Sequence, residues 1–175
     1  MANSFKAAAG AVGLILMMAA ASPAAAQGPV VLGGDAADCR PGAAGTSALV
    51  TVHGFKNRDG RLRIQNYTGT KGEYLESGKY LRRQEIAMTA DGDMTVCLAL
   101  PGPGRYVIVA LHDTNSDGKL SVWSDGIGFS NNPKLGLAKP PADKTLFTAT
   151  PGVNNVRIVM NYLRGLSVSP LKGVS

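Results

Sequence analysis

The amino-acid sequence predicts an all-β fold, a single antiparallel β-sandwich of about seven strands, on three observations. From residue 48 onward, short apolar or alternating runs are separated by turn residues, which is the pattern of a sandwich or barrel. Helical periodicity, with apolar residues three and four apart, is nearly absent. One run, Tyr106, Val107, Ile108, Val109, Ala110 and Leu111, is apolar on both faces, as a central strand must be.

The first strand is expected over residues 48–55 and the second over 61–67, where Leu62 and Ile64 alternate with Arg61, Arg63 and Gln65. Asn57, Arg58, Asp59 and Gly60 form the hairpin between them. Residues 68–81 are rich in Gly, Lys and Glu, with room for one helical turn, and a third strand follows at 84–88. Ala90, Asp91 and Gly92 turn into a fourth strand at 94–100, and residues 101–104 turn into a fifth at 105–111. Beyond an acidic loop and the pair Pro140 and Pro141, strands are expected at 145–149 and 156–162, with Pro151, Gly152, Asn154 and Asn155 between them. The passage Leu100, Pro101, Gly102, Pro103, Gly104, Arg105, Tyr106 resembles the Pro-Gly-x-Tyr hairpin of transthyretin-like and carboxypeptidase-regulatory-like domains. That resemblance implies a transthyretin-like or immunoglobulin-like sandwich.

Ahead of the domain, Lys6, an apolar run over residues 11–21, Pro23 and the triplet Ala24, Ala25, Ala26 read as a secretory signal peptide over residues 1–26. The apolar run is too short to span a bilayer, so no membrane span is expected. An extended leader over 27–46, a sandwich domain over 47–165 and a tail over 166–175 complete the division. Loss of Lys6 with the signal lowers the formal net charge of +6 by one. The arginine pairs Arg61 and Arg63, and Arg82 and Arg83, are expected on solvated strand faces, with nucleic acid a poor match. Export places the protein in the periplasm or outside the cell, an oxidising setting in which Cys39 and Cys97, the two cysteines, are expected to pair.

The richest chemistry lies in residues 112–133. Asp113, Asn115 and Asp117 occupy the first, third and fifth positions of a calcium-loop pattern, Gly118 the sixth, and Lys119 offers its carbonyl at the seventh. Ser121 stands at the ninth position. The closing bidentate carboxylate is replaced by Ser124, with Asp125 one residue later. Asp, Asn, Ser and Gly also favour turns by bonding their own backbone amides with no ion present. Calcium bound by Asp113, Asn115, Asp117, Lys119, Ser121 and Asp125 and an ion-free turn are both compatible with the residues.

The combination of Gly60, Arg61, Leu62, Arg63, then Leu100 and Pro101, then Tyr106, then the run from His112 through Leu120, then Gly126, Gly128, Phe129, Ser130, Asn131 and Asn132 resembles the bacterial exported family called domain of unknown function 2141. The resemblance covers roughly residues 48–162 and implies a secreted β-sandwich. It carries no activity and assigns no catalytic residue.

No Gly-x-Ser-x-Gly elbow, no His-Glu-x-x-His and no phosphate-cradling loop occurs, so the chain is not expected to be an enzyme. The alternative is a small metal-dependent enzyme that joins His53, His112 and the loop carboxylates. Trp123 and Phe129 form either an exposed aromatic platform or a lid over the end of the sandwich. The expectation is an exported, non-enzymatic binding or structural module of the bacterial envelope. Its partner surface would hold His112, Trp123, Phe129 and Asn131, facing an envelope protein or an anionic envelope polymer.

Overall fold

A computed structural model describes residues 30–174, so the expected signal peptide lies outside the described residues. Eleven strands are present among the described residues. They are β1 (Val31–Leu32), β2 (Thr46–His53), β3 (Arg61–Thr68), β4 (Arg82–Ala87), β5 (Met94–Leu100), β6 (Gly104–Asp113), β7 (Gly126–Phe129), β8 (Phe147–Ala149), β9 (Gly152–Val159), β10 (Asn161–Arg164) and β11 (Ser167–Pro170). A 3-10 turn, Ala36–Cys39, and a single α-turn, Ala142–Thr145, are the helical elements among them.

The strands form two sheets. A four-stranded sheet runs β1-β5-β2-β9, and a seven-stranded sheet runs β11-β10-β7-β6-β3-β4, with β8 also paired to β6. The all-β sandwich is therefore present, and most pairings are antiparallel. Two are parallel, β1 with β5 and β2 with β9. The additional strands come from segments whose sequence lacks apolar alternation. β1 and the 3-10 turn lie in the stretch expected to be an extended leader, and β11 lies in the expected tail, where Gly165 and Leu166 turn β10 back on itself. No helical turn forms over residues 74–81.

The core lies between the sheets. Val50 and Val52 of β2, Leu62 and Ile64 of β3, Val96 and Leu98 of β5, Ile108 and Ala110 of β6, and Ile158 and Met160 are all shielded from solvent. Successive side chains on a strand point to opposite faces, so the odd-numbered residues of β6 leave the core. Val107 and Val109 instead join Tyr67, Tyr74 and Phe129 in a second cluster on the outer face of the seven-stranded sheet. Loops carrying Leu75, Leu135, Ala142 and Leu146 cover that cluster. β6 is thus the central strand expected from a run that is apolar on both faces.

Cys39 and Cys97 form a disulfide that ties the 3-10 turn to β5. Nearby, Asp35 accepts from the amide of Ala99 at 3.0 Å and pairs with Arg82 across the open side of the sandwich. Burial pushes the Asp35 carboxyl up, but the Arg82 and Ala99 hydrogen bonds outweigh this and leave it below its ordinary range.

At the other end, the β2–β3 connection is fastened by a buried chain of hydrogen bonds. The Lys56 amide donates to the Tyr162 hydroxyl at 3.0 Å, which lies 2.8 Å from His112 Nδ1, and His112 Nε2 lies 2.9 Å from the Asp59 carbonyl. A carbonyl can only accept, so Nε2 carries the proton, and Nδ1 accepts from the tyrosine. Gly60 ends this connection with φ 72°, and a Cβ there would fall 1.9 Å from the Asp113 carbonyl oxygen. Only glycine meets both conditions, which accounts for its place ahead of Arg61, Leu62 and Arg63.

Candidate functional site

The acidic loop leaves the end of β6 and returns into β7. Asp113 is the last residue of β6 and is fully buried. Its Oδ1 accepts from the Asp117 amide at 3.2 Å and its Oδ2 from the Gly118 amide at 2.9 Å. Asn115 Oδ1 also accepts from the Asp117 amide, while Asp117 accepts from the Lys119 amide and from the Asn115 side chain. Those two bonds hold the Asp117 carboxyl below its ordinary range.

Asp125 is buried and closes the loop. Its Oδ1 accepts from the Thr114 amide and hydroxyl and from the Ser124 hydroxyl, and its Oδ2 accepts from the Ser121 amide at 2.8 Å. Burial alone would raise its pKa, yet the Ser121 and Thr114 bonds more than compensate, so it is lowered. Ser121 thus contributes its amide, and no contact of its hydroxyl enters the loop's closure.

Each loop carboxylate faces N–H or O–H donors of the loop itself. Among the described residues, no group of three or more His, Cys, Asp and Glu side chains is placed to hold a metal ion.

One further charge enters from below. Arg63, expected on a solvated face, is instead buried, with its side chain 6% exposed. Its Nη1 donates to the Gly118 carbonyl at 2.9 Å, its Nε donates to Glu85 Oε1 at 3.1 Å, and Nη2 lies 3.7 Å from Asp113 Oδ2. Glu85 also pairs with Arg61 and Arg83. Partial burial pulls the Glu85 carboxyl up, but the Arg61 and Arg83 hydrogen bonds and the nearby guanidinium charges bring it down to about 2.

The structure does not bring the two histidines together. His53 lies at the end of β2 on the outer face of the four-stranded sheet, where Arg157 contacts its Nδ1 at 3.0 Å. His112 faces the core between the sheets, edge-on to Phe55 and Tyr162. Burial lowers the pKa of both imidazoles, and the Arg157 charge adds to the effect at His53. Asp113, one residue after His112, leaves the strand on the opposite face.

Trp123 and Phe129 are likewise separate. Trp123 is 80% exposed at the loop tip, whereas Phe129 is buried in the second cluster. Asn131 is part of a latch: its side chain donates to the Leu146 carbonyl, and Asn132 bridges the Arg157 carbonyl and the Val159 amide. Ser130 accepts from the Ile108 amide and donates to the Thr145 carbonyl. The Phe-Ser-Asn-Asn run therefore fastens β7 to its neighbours.

Beside the loop lies a feature that the sequence did not reveal. An apolar groove of about 270 Å³ opens on the outer face of the seven-stranded sheet. Ile127, Phe129, Leu163 and Val168 form its floor, and two loops carrying Leu120 and Val122, and Leu135 and Leu137, form its walls. Leu120, Val122 and Leu137 remain substantially exposed at its mouth, as does Trp123 beside it. The signal that could have pointed to it is the pair Leu163 and Val168, which flank the Gly165 turn and stand opposite each other across β10 and β11.

The profile of a family described as an uncharacterized protein conserved in bacteria (DUF2141) matches residues 50–157, from β2 to β9. No curated protein and no solved structure matches the chain.

Proposed function

The chain belongs to this bacterial family, and on that premise we propose that it is an exported, non-enzymatic binding module of the bacterial envelope. Its groove takes an apolar anchor side chain from an envelope protein. The observation that carries the reading is the groove itself, with exposed Leu120, Val122 and Leu137 among its lining and exposed Trp123 next in sequence to Val122. Contiguous exposed apolar surface of this kind marks interaction sites.

Its size favours a side chain over a larger small molecule, since about 270 Å³ falls just below the range usual for small-molecule pockets. A ligand confined to the groove would also leave Trp123 uncovered, whereas a protein surface would bury it together with the anchor. Export is supported by the sequence of residues 1–26 and by the cysteine pairing, which suits an oxidising compartment. The rival, a metal-dependent enzyme using His53, His112 and the loop carboxylates, needs side chains that leave different sheets on different faces.

N-acetyl-tryptophanamide serves as the probe of an anchor side chain in a methyl NMR titration of the mature protein. The expected result is a set of shifts confined to Leu120, Val122, Leu135, Leu137, Leu163 and Val168, abolished by Leu163→Glu in a chain that keeps its fold. Shifts absent from these methyls, or scattered over the molecule, would overturn the proposal.

A further inference from the structure

We infer that Arg63 is the cation of the acidic loop: its guanidinium, reaching up from β3, does the work that a metal ion does in loops of related sequence. β3 lies beside β6 with Arg61 opposite Asp113 and Arg63 opposite Leu111, so Arg63 shares the outer face with Asp113. From there it spans the base of the loop, bonding the Gly118 carbonyl and approaching Asp113, while Glu85 holds its other edge.

A buried guanidinium is costly to desolvate unless it is paired and hydrogen-bonded. Here it meets two carboxylates and a carbonyl. The same contacts balance Asp113, which would otherwise be a buried carboxylate supported by two amides alone. Arg63 Nη2 is shared between the two carboxylates, 3.1 Å from Glu85 Oε1 and 3.7 Å from Asp113 Oδ2. A divalent ion at Asp113 would sit within a few ångströms of this fixed positive charge, and like charges at that range disfavour each other. Two consequences follow for the groove. The loop is fixed against the sheet without an ion, and the wall made by Leu120 and Val122 is set through the bond from Arg63 to the Gly118 carbonyl.

Trp123 is the single tryptophan of the chain and lies in the loop, so its emission reports the loop's conformation. The experiment compares emission and thermal melts of the mature protein in excess chelator and in about 10 mM calcium, which is above the weakest dissociation constants of such loops. The wild type is expected to show no change in either reading. Arg63→Met is expected to melt earlier, to shift the Trp123 emission, and to regain part of its melting temperature in calcium but not in sodium chloride of equal ionic strength. Arg63→Lys, which keeps the charge and loses the fork, is expected to fall between the two in emission.

A rise in wild-type melting temperature with calcium that is lost in Asp117→Ala would overturn the inference and install calcium in its place. An unshifted Trp123 emission in Arg63→Met would overturn it as well. The wild-type arm decides even where Arg63→Met does not fold. Neither arm depends on whether the groove binds an anchor.

Discussion

At the scale of single residues, an ion-paired carboxylate and two imidazoles kept neutral by burial shape the pH response. Glu85 has its folded pKa lowered from 4.5 to about 2, so its contribution is complete above pH 4.5 and is lost as pH falls toward 2. His112 is a base kept neutral by burial, with its folded pKa below the ordinary 6.5. Its contribution is complete above that value and declines as acid pulls the unfolded chain toward the protonated imidazole. Urea stability measured from pH 7.5 to 3 should therefore begin to fall near 6.5 and fall further below 4.5, with Glu85→Gln flattening the acid limb. Asp125 accepts four hydrogen bonds and anchors both ends of the loop. Asp125→Ala leaves two amide donors and two hydroxyls unpartnered, and should cost about 2–4 kcal/mol in the same measurement. The sequence showed which residue types crowd into the loop, but not what they face. His112 and Asp113 looked like partners because they are adjacent. On a strand, adjacency sends side chains to opposite faces, so they are among the residues least able to share a ligand.

At the scale of elements, the strands with strong patterns were legible and the short ones were not. β2, β3, β5 and β6 announce themselves through alternation or doubly apolar runs. β7 and β11 do not, because Gly126, Gly128, Ser167 and Ser169 supply no apolar signal of their own. They become strands by pairing with β6 and β10. Gly128 is required by that packing, since a Cβ there would lie 2.7 Å from the Val159 carbonyl oxygen. The segment before β2 has the same character, as its small residues are held by Cys39 and Asp35 and not by propensity. The disulfide closes a sequence separation of 58 residues, for which loop entropy assigns about 4 kcal/mol. The double variant Cys39→Ser with Cys97→Ser should lose about that much stability, read by urea denaturation. It should also release residues 30–45 to limited proteolysis while the β2-to-β9 body persists.

At the scale of the whole molecule, the fold class was readable because an alternating pattern needs only a two-layer sandwich to satisfy it. The groove was not, since it is built from three segments distant in sequence, around residues 75, 120–129 and 135–168, whose apolar residues have no common period. Arg63 escaped notice for the related reason that its burial depends on a loop more than fifty residues away. One topological feature bears on how such a chain comes to exist. β9 lies parallel to β2 and pairs with it along its whole length, from Thr46 opposite Gly152 to His53 opposite Val159. The four-stranded layer therefore stays incomplete until residue 159 has been synthesised. Contacts of such long sequence separation make folding slow. A polypeptide that cannot finish one of its two layers before residue 159 leaves the ribosome postpones its own closure, and the inner faces of β2 and β5 wait for β9 to complete their layer.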